Sequence, residues 1–185
     1  MNEEQLREIG RCIISDDAFN GHLETAIEMV KSLAEGEEEL TPHLILLHPD
    51  PEKEYSVTVV AADVGFDETN KYMVYQQMGH RYATGNKKAV MAFFLMTEAW
   101  QSHTPGTEPR LAADRQEVLI VSGMTVDGRT NMAIIQVGRD GRNRFVAGET
   151  MTLLYGTDEA AAFSENKLLV SFVRGYAAGM VSTWN

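Results

Sequence analysis

The sequence predicts an α+β fold: a mainly antiparallel sheet of five to seven strands, with helices packed on one face. Three observations carry that expectation. Apolar, strand-like segments around 89–100, 117–125, 130–138 and 143–149 succeed one another between turn signals. Two of their connections hold Asp127-Gly128 and Asp140-Gly141, pairs that tolerate positive φ in a type I′ hairpin turn. The chain on either side of this meander carries helical spacing of its apolar residues.

Taken in order, Glu3 to about Ile14 places Leu6, Ile9 and Ile13 on one helical stripe. The run SDDAFN interrupts it. A second helix is expected from near Asn20, whose side chain can cap it, to near Gly36, with Leu23, Ile27, Val30 and Ala34 inward. Glu37, Glu38 and Glu39 read as a solvated connection, and Pro42 opposes further helix.

HLILLH at 43–48 is short, apolar and bounded by prolines, so it reads as a strand. Tyr55 to Ala61 alternates and completes a hairpin across the turn at 49–54. Asp67 can cap a helix reaching about Thr84, with Gly85 as its stop; Met73, Val74, Gln77, Met78, Arg81 and Tyr82 give it an amphipathic cast. After the meander, MTLLYG at 151–156 offers an edge strand. A last helix is expected to start between Thr157 and Asn166 and to run toward Val181, with Leu169, Val173, Tyr176 and Met180 on one face. Gly175 and Gly179 within it cost about 1 kcal/mol each relative to Ala, which implies close backbone contact with the sheet or another helix.

A length of 185 residues suits one domain able to bury a core without disulfides or metal. The single cysteine, Cys12, rules out an intrachain disulfide and fits a reducing compartment; it lies on the apolar stripe of the first expected helix. The acidic start MNEEQLREIG is unlike a secretory leader, and no apolar run is long enough to cross a bilayer. The expected location is the cytoplasm, away from membranes.

The net charge of −11 is unevenly placed: Met1 to Glu68 holds 17 acids against 4 bases, a net of −13, and the remainder 10 against 12, a net of +2. Direct nucleic-acid binding is therefore not expected, because phosphates are repelled from that acidic third. The same charge allows a different class, an acidic mimic of nucleic acid, if the carboxylates lie in rows on one exposed face.

The candidate site lies where the segment 89–100 ends and 117–125 begins. Glu98, Trp100, His103, Arg110 and Arg115 gather there, with Asp114 and Glu117, across the long loop QSHTPGTEPRLAAD. In this reading Arg110 or Arg115 binds an anionic group, Trp100 stacks on it, and Glu98 or His103 moves protons. The competing expectation is a strand-end salt bridge between Glu98 and Arg115 with Trp100 covering the core edge. Catalytic residues are not assignable from the sequence.

No other chemistry stands out. His43 and His48 fall on opposite faces of one strand, and no HExxH, CxxC or HxH spacing occurs, so neither a metal site nor a cofactor is expected. VGRDGRNRF lacks the following helix of a phosphate loop, and no serine has a nucleophile-elbow setting. Arg139, Arg142 and Arg144 at one turn and Arg129 at another belong to turns at opposite ends of the sheet, so they do not form one patch. The leading expectation is a protein acting through a binding surface, as a homo-oligomer or an adaptor for an unidentified protein partner. Self-association would join unlike-charged surfaces or pack the C-terminal helices. An enzyme or small-ligand binder with a pocket at the sheet end is the alternative.

Overall fold

A computed structural model describes residues 13–50, 52–62, 70–86, 88–156 and 166–183. The elements are helix α1 (Asp16–Ala34), strands β1 (His43–Pro49) and β2 (Tyr55–Ala61), helix α2 (Lys71–Asn86), strand β3 (Ala92–Gln101), a 3-10 turn (Pro109–Leu111), strands β4 (Gln116–Thr125), β5 (Thr130–Arg139) and β6 (Phe145–Leu153), and helix α3 (Lys167–Thr183). The strands form one sheet in the order β2-β1-β3-β4-β5-β6, antiparallel throughout. The α+β class and the antiparallel meander are therefore as expected.

The helices divide between the two faces, which corrects the expectation of a single covered face. In β3, Ala92, Phe94 and Met96 join Phe19, Leu23, Ile27 and Val30 of α1 in one core. Phe93 and Leu95 point the other way, into a second core with Tyr75 and Ala83 of α2 and Leu169, Phe172 and Tyr176 of α3. The physical reason was present in the segment itself. AFFLM is apolar at every position, so both faces of this central strand had to be covered.

Helix α1 begins earlier than its apolar spacing suggests. Ser15 is the N-cap, its hydroxyl accepting from Ala18 N at 3.2 Å, with Asp16 and Asp17 in the first turn beside the positive end of the helix. The run SDDAFN is thus the start of the helix rather than a break before it. Most of the helix expected at Glu3–Ile14, together with Cys12 and the cap at Asp67, lies outside the described residues.

Helices α2 and α3 touch through small residues. A Cβ on Gly175 would lie 1.8 Å from the carbonyl oxygen of Gln76, and one on Gly179 would lie 2.8 Å from that of His80 and 2.7 Å from Ala83 Cβ. Rising numbers on one helix meet rising numbers on the other, so the two run in the same direction. The glycine face of α3 is turned to α2, so it is not a surface for a second copy. The buried residues of α2 are Tyr75, Gly79 and Ala83, a stripe of mostly small residues, while Met73 is exposed.

Both Asp-Gly turns connect adjacent strands, but neither is type I′. Each is a three-residue loop: Thr125 N donates to Arg129 O at 2.9 Å and Asp140 N to Arg144 O at 2.9 Å. The left-handed residue is the last of each loop, Gly128 at φ 90° and Asn143 at φ 62°. This is a type I turn followed by a left-handed residue, in which Asp127 and Asp140 keep negative φ. MTL at 151–153 continues β6 rather than adding a strand.

Candidate functional site

Strands β3 and β4 are antiparallel neighbours in the register that pairs Trp100 with Glu117 and Gln101 with Gln116, so the expected residues do share one end of the sheet. They do not form one site, because the loop carries Arg110 to the opposite side of the sheet from the strand residues. Continuing the even-numbered face of β3 places Glu98 and Trp100 on the α1 side, with Arg115 beside them.

The expected Glu98–Arg115 pair is absent. Glu98 Oε1 accepts from the backbone N–H of Leu40, and burial pushes its carboxyl above the usual range, with the nearby Glu117 carboxylate adding to the shift. Arg115 donates to Arg110 O at 2.9 Å and stacks on Trp100, 5.2 Å from the ring centroid. Glu117 pairs instead with Arg139, in a fork of 2.6 and 2.8 Å bonds. Arg139 also donates to Glu38 O at 2.6 Å and covers the Phe145 ring, tying the α1–β1 connection to the sheet end.

Asp114 organises the long loop. It accepts from Ser102 Oγ at 2.6 Å, Thr104 Oγ1 at 2.9 Å and His103 N at 3.0 Å. Those donors, the Ser102 hydroxyl first, hold its carboxyl down to about 2. A carboxylate held this way accepts and does not deliver protons. His103 sits on the same loop with an exposed side chain.

On the opposite side of the sheet lies an open cleft of about 430 Å³. Its floor includes Thr97, Ala99 and Ile120, one wall is Glu108, Pro109 and Arg110, and the other wall is Lys71 and Tyr72 of α2 with Asn166, Lys167 and Leu168 at the start of α3. Glu98 and Trp100 border it, although their side chains leave from the other face. Two helices running in the same direction bring their N-terminal turns to one place, and that end of a helix favours negative charge. Asn166 caps α3, its Oδ1 accepting from Leu168 N at 3.0 Å and Leu169 N at 3.3 Å, while its Nδ2 donates to Ser122 Oγ at 3.1 Å. Arg110 Nε meets Glu108 at 2.7 Å.

Of the five expected site residues, then, Arg110, Glu98 and Trp100 border the cleft, and His103 and Arg115 do not. Lys71, Tyr72 and Lys167 were not expected there. Their signal in the sequence was only that each opens a helix; the shared direction of those helices is a tertiary fact. Of the turn arginines, Arg129 engages Asp127 and, across the fold, Asp16 and Ile14 O, and Arg144 engages Asp140. Among the described residues no group of three His, Cys, Asp or Glu side chains is placed to hold a metal ion, and no helix is long and apolar enough to cross a membrane. Compared with known protein families, with curated proteins and with solved structures, the chain finds no match.

Proposed function

We propose that the protein is a cytoplasmic binding protein rather than an enzyme, and that its sheet-end cleft takes a small anionic ligand. One observation carries this reading. In a chain of net charge −11, the cleft collects Lys71, Lys167 and the Glu108-paired Arg110 around a floor of Thr97, Ala99 and Ile120, at the N-terminal turns of two helices. Catalysis has weaker support. Glu98 is committed to Leu40 N, Asp114 to its loop, and Glu108 to Arg110 on its own wall, so each of these carboxylates is already engaged by the protein.

The reading of an acidic nucleic-acid mimic has less behind it. Asp17, Glu24 and Glu28 share the outer stripe of α1, but Lys31 continues that stripe and pairs with Glu28 at 3.2 Å. Charged residues on the outer stripe of an amphipathic helix need no partner to explain them.

Native mass spectrometry of the protein as purified reports any retained ligand. Calorimetric titration with phenyl phosphate then tests the cleft directly. Binding is expected for the wild type and for Trp100→Ala, whose side chain leaves from the other face. Lys167→Glu should abolish it; an acid at the first position of α3 suits the helix, so folding is spared. Equal binding by wild type and Lys167→Glu, or loss on Trp100→Ala alone, overturns the reading.

A further inference from the structure

Strand β2 ends the sheet, so one of its long sides has no neighbouring strand among the described residues. The ladder shows which backbone groups face that way. Ala62 N donates to Pro42 O at 2.7 Å, which makes Pro42 and Ala62 a hydrogen-bonded pair. Such pairs alternate, so Ser56, Thr58 and Val60 bond to β1, and Tyr55, Val57, Val59 and Ala61 turn their N–H and C=O groups outward.

Exposed edges are normally guarded by charge, proline or a bulge. The other edge is: β6 carries Glu149, and its pairing with β5 shifts register between Ile135 and Val137. Strand β2, YSVTVVA, has no charged residue and no proline, and it pairs with β1 in unbroken register from Tyr55 to Ala61. Its side chains on the α1 face are apolar and open: Tyr55 is 36% exposed, Val57 48% and Val59 46%. Helix α1 lies over β3, β4, β5 and β6, and its His22 ring meets Tyr55 at the start of β2.

We propose that β2 is an assembly edge whose partner is β2 of a second copy, paired antiparallel about a two-fold axis at Thr58. That axis places Val57 opposite Val59 of the second copy and Tyr55 opposite Ala61. Every residue in those pairs has outward-facing backbone groups, so the pairs are the hydrogen-bonded ones. The strand is self-complementary about Thr58, as an isologous contact requires. Both copies present the same face, and their Tyr55, Val57 and Val59 side chains form one apolar strip between the two α1 helices. The contact joins like-charged acidic regions, so added salt strengthens it. An interface of unlike charges would weaken instead.

Sedimentation velocity on the full chain tests this with three variants. The wild type is expected to sediment as a dimer that persists near 1 M salt, where screening is nearly complete. Val57→Pro removes an outward N–H and leaves the β1 ladder intact; it should keep the fold and weaken the dimer by roughly tenfold or more. Val57→Lys should do the same by placing charge on the strip. Thr58→Pro removes a donor to β1 and should lower the melting temperature of the subunit itself. A monomeric wild type, a dimer that dissolves in salt, or a dimer untouched by both Val57 variants overturns the proposal.

Discussion

The two faces of the sheet are buried by different means. On one, α1 lays Phe19, Leu23, Ile27 and Val30 onto the strands, a contact of branched and aromatic side chains with rotamers to adjust. On the other, α2 and α3 meet backbone to backbone at Gly79, Gly175 and Gly179, and the aromatic residues Tyr75, Phe172 and Tyr176 fill the space down to β3. A core of large side chains can repack around a change, whereas a contact between backbones has nothing to move but the helices. The lesson is that substitution tolerance should follow the mode of contact more closely than depth of burial.

The largest expected effect breaks the backbone contact. Gly175→Ala drives a methyl into the Gln76 carbonyl and should destabilise by about 4 kcal/mol or more, in the range where overpacking unfolds a marginal domain. Loss of less than about 1 kcal/mol in denaturant titration would show that the helices part easily, and the contrast between faces would fall. On the α1 side, Phe94→Ala empties space under Phe19, whose ring lies 5.6 Å away, and should lose about 3–5 kcal/mol. Leu23→Met in the same core should lose less than about 1.5 kcal/mol, because volume is kept and the helix can adjust.

Smaller effects come from pH, and here the faces answer with opposite sign. His48, buried beneath α2, donates from Nδ1 to Ala89 O at 2.7 Å, so its Nε2 accepts from the Tyr82 hydroxyl at 3.0 Å. Burial lowers its pKa from the usual 6.5 despite the Ala89 bond. The unfolded chain therefore takes up the proton first, and the stability this residue supports is lost as pH falls below 6.5. His48→Gln should flatten that part of the stability curve. Glu98, on the α1 side, is raised by burial, so its contribution is present below 4.5 and is lost as pH rises through the folded value. Glu98→Gln keeps an acceptor for Leu40 N and should be neutral or stabilising by up to about 1 kcal/mol at pH 7, with the difference vanishing in acid. Denaturant midpoints between pH 4 and 8 for both variants check the two signs.

How far these features are legible in sequence depends on their range. The strands at 43–48, 55–61 and 117–125 declare themselves through local pattern, since alternation and bounding prolines act within a few residues. The close contact at Gly175 and Gly179 is also announced locally, by their helix-propensity cost, although its partner is not. Glu98 and Arg115 lie close enough in register to invite a pair, yet Leu40 N and Arg110 O claim them, and both competitors come from outside the strand pair. The turns mislead for a related reason: Asp-Gly suits more than one hairpin, and loop length decided which.

Composition and spacing alone determined the α+β class, the antiparallel meander, the acidic first third and the placing of His43 and His48 on opposite faces of β1. These follow from period, charge and chain chemistry, which need no knowledge of what lies across the fold. Tertiary structure alone decided that the helices divide between two faces, that α2 and α3 run in the same direction with Lys71 and Lys167 at one cleft, and that β2 ends the sheet among the described residues. The reason is that burial is a property of both partners. A strand apolar at every position demands two covers, but which helices supply them, and which strand ends the sheet, is settled only when all the surfaces compete at once.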